Sequence, residues 1–148
     1  MHSYTAILYH ITFATFDRRP AITSQFRNRL HGYLGGTANN LDAKALEIGG
    51  VADHVHLMVE GGPTLAVADL VGKLKSNSSR WLHDTSLAPG FDWQRGYGAF
   101  SISRSDVPSV GRYIRDQENH HRTLTFEEEL RSLLRENEIA IDERYFLK

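Results

Sequence analysis

The chain has 148 residues, a formal net charge of −1 and 41% hydrophobic residues, which indicates a globular protein with one core. Cysteine is absent, which excludes disulfides, thiolate catalysis and Cys-ligated zinc. A metal site would use histidine, carboxylate, amide or water ligands, which suit Mg²⁺, Mn²⁺ or Zn²⁺. We expect one cytoplasmic domain over residues 1–148, because the sequence shows neither a membrane-length apolar run nor a signal-peptide pattern.

Charge is unevenly distributed along the chain. Residues 61–122 contain 8 Lys/Arg and 6 Asp/Glu, whereas residues 123–148 contain 4 and 7. The mildly basic middle is compatible with a nucleic-acid surface, although a mixed solvated surface is the simpler interpretation of charge alone.

The first part of the chain alternates between strand and helix patterns. Residues 4–15 are rich in aromatic and β-branched side chains and predict a strand. Residues 21–38 carry apolar side chains at four-residue spacing, which predicts a helix. Residues 43–51 and 53–60 predict two neighbouring strands, and the glycine pair 49–50 indicates a bulge or bend.

The second part of the chain adds, in order, a helix over 65–82, a strand over 97–103 and helices over 106–121 and 125–136. Thr64 is the predicted N-cap of the helix over 65–82, and Ser105 is that of the helix over 106–121. Thr125 with Glu128 fits a capping box at the start of the last helix. The order β-α-β-β-α-β plus two helices predicts a ferredoxin-like α+β fold, an antiparallel sheet with helices on one face and C-terminal helices added. The other face would then be open to a ligand or partner.

The stretch DHVHLMV places His54 and His56 on the same face of one strand. Two neutral imidazoles side by side can bind one cation, and Asp53 is a candidate hydrogen-bond partner behind them. Two hydrogen-bonded surface histidines are the alternative, and the spacing alone leaves both interpretations open. A metal site would also need a third protein ligand from elsewhere.

Other metalloproteins use the same His-x-His spacing. Hydrolases of the metallo-β-lactamase type continue with Asp-His, where this chain has Leu57-Met58-Val59, and amidohydrolases need a barrel longer than this chain. Cupins follow the pair with a glutamate, which Glu60 matches in part. A cupin is all-β, however, and the helical pattern over 65–82 argues against that alternative.

A second group of polar residues lies on the predicted helix 106–121. Tyr113 and Gln117 are four residues apart and share a face, which His120 or His121 extends. Considered one at a time, Tyr113 is best interpreted as a packing tyrosine and Gln117 as a solvent-exposed glutamine. Together, they offer a candidate nucleophile and a hard oxygen ligand. A tyrosine with its reference pKa of about 10 needs a nearby cation or base to act as a nucleophile.

These motifs, in this order, resemble the single-tyrosine HUH transposases, which include small insertion-sequence transposases and REP-associated tyrosine transposases. The resemblance rests on DHVHLMV, on the helix motif YIRDQ and on the element order. YHITFATFDRRP, LVGKLKSNSSRWL and WQRGYGAFSIS are similar to further family motifs. The resemblance covers about residues 4–122, which form the core of the predicted domain. Residues 123–148 lie outside it and form a predicted C-terminal helical tail.

The resemblance implies a mechanism and partners. His54, His56 and Gln117 would bind Mg²⁺ or Mn²⁺, and Tyr113 would attack a single-stranded DNA phosphodiester to give a 5′-phosphotyrosine and a free 3′-OH. DNA hairpins would be the recognition elements. The protein would be a homodimer, in which the tyrosine helix of one subunit can complete the other's site.

Basic and aromatic side chains are the candidates for DNA contacts. The predicted phosphate contacts are Lys73, Lys75, Arg80, Arg95, Arg104, Arg112, Arg115 and Arg122, and the predicted stacking residues are Trp93, Tyr97 and Phe100. The acidic tail is unusual for a DNA-binding protein, and we expect it to pack on a partner subunit or to form an exposed helix. A non-catalytic hairpin-binding module is the main alternative function.

Overall fold

The computed structural model describes residues 3–148; Met1 and His2, which the single-domain prediction includes, lie outside the described residues. One antiparallel sheet has the spatial order β2-β3-β1-β4. Its strands are β1 (Leu8–Ala14), β2 (Ala43–Gly50), β3 (His54–Gly61) and β4 (Gly98–Ile102). The α-helices are α1 (Arg27–Asn39), α2 (Val67–Asp84), α3 (Val107–Arg115), α4 (Gln117–His120) and α5 (Phe126–Glu136). The predicted α+β fold is confirmed, and the all-β cupin alternative is wrong.

The main hydrophobic core lies between one face of the sheet and helices α1 and α2. The inward side chains of β3 are Val55, Leu57 and Val59, as the alternation predicts, and each is fully buried. Leu34 of α1 and Leu74 of α2 pack into the same cluster. Burying an aliphatic side chain of this size stabilises the fold by about 1.5–3 kcal/mol. Within residues 3–148, no helix is long and apolar enough to cross a bilayer.

The opposite face of the sheet is covered, so the prediction of an open face is wrong. His54, His56 and Met58 of β3 point to this side, and each is at most 2% exposed. Helix α3 packs against β2 and β3, and α5 contributes the buried side chains of Phe126 and Glu129. Strand alternation correctly groups the side chains by face, but it does not show what packs on that face.

The helix ends differ in detail from the predictions. Helix α2 begins after Ala66 and not after Thr64, and a short 3₁₀ turn places Asp106, not Ser105, before α3. The capping box of α5 is confirmed, because the Thr125 side chain accepts from the backbone N–H of Glu128 and the Glu128 carboxylate accepts from Thr125.

The predicted helix over 106–121 is interrupted. Asp116 has φ −96° and ψ 24°, which is outside the helical region, so α3 ends at Arg115 and α4 begins at Gln117. Tyr113 and Gln117 therefore lie on two helical segments joined by a bend. Both side chains still turn toward β3, and they reach the same carboxylate.

Gly49 lets α3 lie directly against β2. A Cβ at Gly49 would overlap the carbonyl oxygen of Ile114, the residue that follows Tyr113 in the chain. Here the glycine permits close packing of strand and helix. Of the bulge or bend predicted at residues 49–50, the bulge is wrong, because the register shift lies between Ala45 and Glu47; the strand ends at residue 50.

We expect Gly49→Ala to displace α3, because its methyl group meets backbone and not a flexible side chain. The free energy of unfolding should fall by about 1–3 kcal/mol, the usual effect of overpacking, in urea titrations followed by circular dichroism. Gly36→Ala is the control, since a Cβ there meets nothing within 4 Å. Equal stability of Gly49→Ala and the parent would contradict this role.

Candidate active site

His54 is fully buried and makes hydrogen bonds through both ring nitrogens. Nδ1 lies 2.7 Å from Asp53 Oδ1, and Nε2 lies 2.9 Å from Gln117 Oε1. Burial alone would lower the pKa of His54, but the hydrogen bonds to Asp53 and Glu129 outweigh it and raise this pKa to about 9. Asp53, the predicted partner behind the pair, therefore contacts His54 directly.

His56 is held between a carboxylate and a third imidazole. Its Nε2 lies 2.8 Å from Glu129 Oε1, and its Nδ1 lies 2.8 Å from His10 Nε2. An ionised carboxylate can only accept, so His56 donates from Nε2 and its Nδ1 accepts from His10. Burial lowers the pKa of His56 to about 4 and that of His10 to about 3, so both rings are neutral at pH 7.

Glu129 of α5 is the centre of this network. Its side chain is 2% exposed, and its Oε1 atom lies within 3.4 Å of the Nε2 atoms of three imidazoles, those of His54, His56 and His121. Burial alone would raise the pKa of Glu129, but its close contacts with these imidazoles lower it well below its usual range. The interior of the site therefore holds a carboxylate anion paired with the His54 imidazolium.

Tyr113 and Gln117 reach the other oxygen of the same carboxylate. The Tyr113 hydroxyl donates to Glu129 Oε2, and Gln117 Nε2 donates to it at 3.3 Å. The Tyr113 ring centroid is 5.7 Å from that of His56. Burial, and then the Glu129 carboxylate, raise the pKa of Tyr113 above its usual range. The four predicted site residues thus form one cluster within a single chain, with the tyrosine protonated at neutral pH.

A group of four side chains in this cluster has the geometry to bind a metal ion. His54, His56, His121 and Glu129 each offer one ligand atom, and these atoms lie within 4.8 Å of one another. Histidine nitrogen with carboxylate oxygen suits a divalent metal. We did not predict Glu129 or His10 from the sequence. The available signal for Glu129 was an acidic residue on the apolar stripe of α5, three residues after Phe126.

Two cavities give access to the cluster. One is lined by His10, Tyr113, His120 and Glu129 among others, and reaches the tyrosine side. The other opens beside Asp53 and His121 and is lined by three arginines, namely Arg18, Arg27 and Arg122. The same lining holds two carboxylates, those of Asp53 and Glu118, and Arg27 is paired with Glu118 at 2.8 Å.

Lys75, a predicted phosphate contact, binds the protein's own backbone. Its Nζ donates to the carbonyl oxygens of Gln94, at 2.7 Å, and Gly96, at 2.5 Å. Burial lowers the pKa of Lys75 to about 8. Lys75 therefore fixes the loop that carries Arg95 and Tyr97.

The other predicted basic residues fall into two groups. Arg104 pairs with Glu60, and Arg115 pairs with Glu47. Among residues 3–148, five make no ion pair and stay candidates for phosphate contacts: Lys73, Arg80, Arg95, Arg112 and Arg122.

Of the three aromatic residues predicted to stack on bases, two are buried and one is exposed. Trp93 and Phe100 are about 5% exposed and belong to the interior, and the indole N–H of Trp93 donates to Ser78. The prediction that these two rings stack on bases is not supported by their positions. Tyr97 is 44% exposed and stays available.

Residues 3–117 match the protein-family model described as "Transposase IS200 like". The chain belongs to the IS200-like transposase family. Among its relatives is the transposase for insertion sequence element IS200 of Salmonella typhimurium, 29% identical over 115 residues, which are 74% of this chain and 75% of the relative. The ISDra2 transposase TnpA of Deinococcus radiodurans is 26% identical over 117 residues, covering 74% and 82%.

Solved structures of transposases share the fold. A crystal structure from Deinococcus radiodurans R1, assigned as a transposase, has a TM-score of 0.63 at 22% identity and covers 82% of this chain and 95% of that one. A REP-associated tyrosine transposase bound to a REP hairpin has a TM-score of 0.57 at 12% identity, covering 77% and 70%. The match to the family model confirms the predicted family, and these structures show the same fold.

We expect Asp53→Ala to weaken Mn²⁺ binding about tenfold to 100-fold, because Asp53 orients the His54 ring and such partners contribute this much to metal affinity. Isothermal titration calorimetry on the full chain measures the affinity. Asp84→Ala, at the exposed end of α2, is the control. An Asp53→Ala affinity equal to the parent's would show that the contact does not orient a ligand.

Proposed function

We propose that this family member is a metal-dependent, single-strand-specific DNA strand transferase with Tyr113 as its nucleophile. The observation that carries the proposal is that Tyr113 and His56 of the same chain are hydrogen-bonded to one buried carboxylate, that of Glu129. A tyrosine that served only in packing would not need a hydrogen bond to the same buried carboxylate that binds His56 of the His-x-His pair.

The proposed metal ligands are His54, His56 and Gln117. Their surroundings fit that role, because a metal-binding imidazole usually donates its second N–H to a fixed partner. Asp53 occupies that position behind His54. His56 Nδ1 lies 2.8 Å from His10 Nε2, which can accept its proton when His56 binds a metal through Nε2. The Gln117 amide oxygen lies 2.9 Å from His54 Nε2, on the side where a shared cation would sit. Mg²⁺ or Mn²⁺ is the expected ion.

The proposed reaction exchanges one phosphodiester for another. The Tyr113 hydroxyl oxygen forms a bond to phosphorus, the bond from phosphorus to the 3′ oxygen breaks, and the leaving 3′ oxygen takes up a proton. The hydrogen bond to Glu129 Oε2 orients the hydroxyl, and because Glu129 is a weak base, the tyrosine proton is released to solvent through the cavity beside Tyr113. The products are a 5′-phosphotyrosine and a free 3′-OH, so the reverse step can join a new 3′ end.

A bound divalent cation would neutralise charge on the phosphate oxygens and make phosphorus more electrophilic. The chain's own residues position the nucleophile. The close packing of α3 at Gly49 fixes the Tyr113 backbone, and the edge-to-face contacts of its ring with His10 and His56 fix the side chain. These contacts hold the hydroxyl at one point beside the histidines.

The proposed substrate is single-stranded DNA that carries hairpins. One relative of the same fold was solved with a REP hairpin bound, and the arginine-lined cavity next to His121 offers a path for a strand. We expect Arg80 and Arg95, which make no ion pair within residues 3–148, to contact phosphates. We also expect a homodimer, which sedimentation velocity of the full chain measures.

We expect Tyr113→Phe to bind hairpin DNA and to form no covalent adduct, because the phenylalanine lacks only the attacking oxygen. The measurement is a denaturing gel of protein mixed with labelled hairpin DNA and Mn²⁺. Tyr97→Phe is the control, since Tyr97 is exposed. An adduct formed by Tyr113→Phe as well as by the parent would refute the nucleophile. A parent that binds hairpins but forms no adduct would favour the non-catalytic module.

We expect His54→Ala and His56→Ala each to lose at least tenfold in Mn²⁺ affinity, since each removes a proposed ligand. The affinity is measured by the electron paramagnetic resonance signal of free Mn²⁺ during titration. His83→Ala, which removes an imidazole bonded to the Phe91 carbonyl, is the remote control. Unchanged Mn²⁺ binding in both site variants would rule out the proposed centre.

A further inference from the structure

The Nε2 atoms of the three imidazoles surround one carboxylate oxygen in the interior of the protein. Glu129 Oε1 lies 2.8 Å from His56 Nε2, 3.2 Å from His121 Nε2 and 3.4 Å from His54 Nε2. All four side chains are at most 8% exposed. Three imidazole nitrogens and a carboxylate oxygen that lie within 4.8 Å of one another are a donor set that suits a divalent metal.

His121 has one nitrogen with no hydrogen-bond partner. Its Nδ1 lies 2.7 Å from the carbonyl oxygen of Leu124, which can only accept, so the Nδ1 proton is fixed. Its buried Nε2 makes no hydrogen bond to any residue in the described chain. This nitrogen lies 3.2 Å from Glu129 Oε1. A cation bound by both atoms would give the His121 nitrogen the partner that it lacks.

Glu129 is held at this point by the rest of α5. The capping box at Thr125 fixes the start of the helix. The Phe126 ring, 3% exposed, packs with its centroid 4.4 Å from that of His54. Glu129 is one turn further along the helix and thus faces the same histidines. The carboxylate is part of a docked helix and not the end of a flexible tail.

Neither residue belongs to the segment that the family model matches. That match ends at residue 117, before His121 and Glu129. Nothing in the proposed ligand set of His54, His56 and Gln117 assigns a role to the acidic C-terminal segment. The contacts of His121 and Glu129 give that segment a place in the site.

We propose that His121 and Glu129 are ligands of the same divalent cation, so that the C-terminal segment 121–129 completes the metal centre. This inference rests on the proposed function, which places the cation at His54 and His56. Two consequences follow. A donor set rich in imidazole nitrogen binds Mn²⁺ more tightly than Mg²⁺, and metal binding ties α5 to the sheet.

The test is Mn²⁺ titration of the full chain, with affinity as the readout and no DNA present. We expect His121→Ala and Glu129→Gln each to bind Mn²⁺ about tenfold or more weakly than the parent. Glu127→Gln, on the exposed side of the same helix, should bind like the parent. Glu129→Gln keeps the volume of the side chain, and His121 lies in the turn after α4, so circular dichroism should show a folded protein for both.

Hydrogen exchange gives a second readout that does not depend on affinity. Mn²⁺ should slow amide exchange in α5 of the parent and of Glu127→Gln, and should have little effect on α5 in Glu129→Gln. Exchange in α5 that is the same with and without Mn²⁺ in the parent would overturn the inference. So would a Glu129→Gln variant that binds Mn²⁺ as tightly as the parent or more tightly.

The two proposals fail in different ways. If His54→Ala loses Mn²⁺ while His121→Ala and Glu129→Gln retain it, the centre exists without the C-terminal ligands, and only the further inference is wrong. If none of these variants changes Mn²⁺ binding, the proposed metal centre itself is wrong. An adduct that survives Tyr113→Phe would remove the proposed nucleophile whatever the metal results are.

Discussion

The pairing of a buried carboxylate with buried imidazoles is the interaction on which this site depends. An ionised glutamate in a protein interior is costly unless charge and hydrogen bonds compensate it. Here the compensation comes from the His54 imidazolium, from the neutral His56 and from the hydroxyl of Tyr113. Removing one partner would leave the others buried without a full set of contacts. Strand β3, helix α3 and helix α5 each contribute a side chain to this network.

The sheet and the main hydrophobic core were predictable from the sequence, because the spacing of apolar side chains in a strand or helix is set by neighbouring residues. Val55, Leu57 and Val59 alternate with His54 and His56, and the two sets do point to opposite faces of β3. The family was also predictable, since motifs such as DHVHLMV and YIRDQ occur in a fixed order. The grouping of Tyr113 with the histidines followed from that resemblance, and the structure places these side chains together.

The covering of the histidine face was not predictable in the same way. Alternation shows which side chains share a face, but the element that packs there comes from residues more than 60 positions away, such as Phe126. The acidic composition of the tail favoured an exposed helix or a partner contact. One of its glutamates, Glu129, is instead buried, because imidazoles provide the partners it needs. The break at Asp116 was missed because it has no glycine or proline signal.

The proposed chemistry requires that His54 and His56 bind a metal ion beside Tyr113. The most direct measurement is an anomalous difference map from a crystal of the full chain grown with Mn²⁺. We expect a peak within coordination distance of the Nε2 atoms of both histidines, on the side that faces the Tyr113 hydroxyl. A map from a well-diffracting crystal that shows no peak at this pair, or shows Mn²⁺ bound only elsewhere, would contradict the proposed metal site.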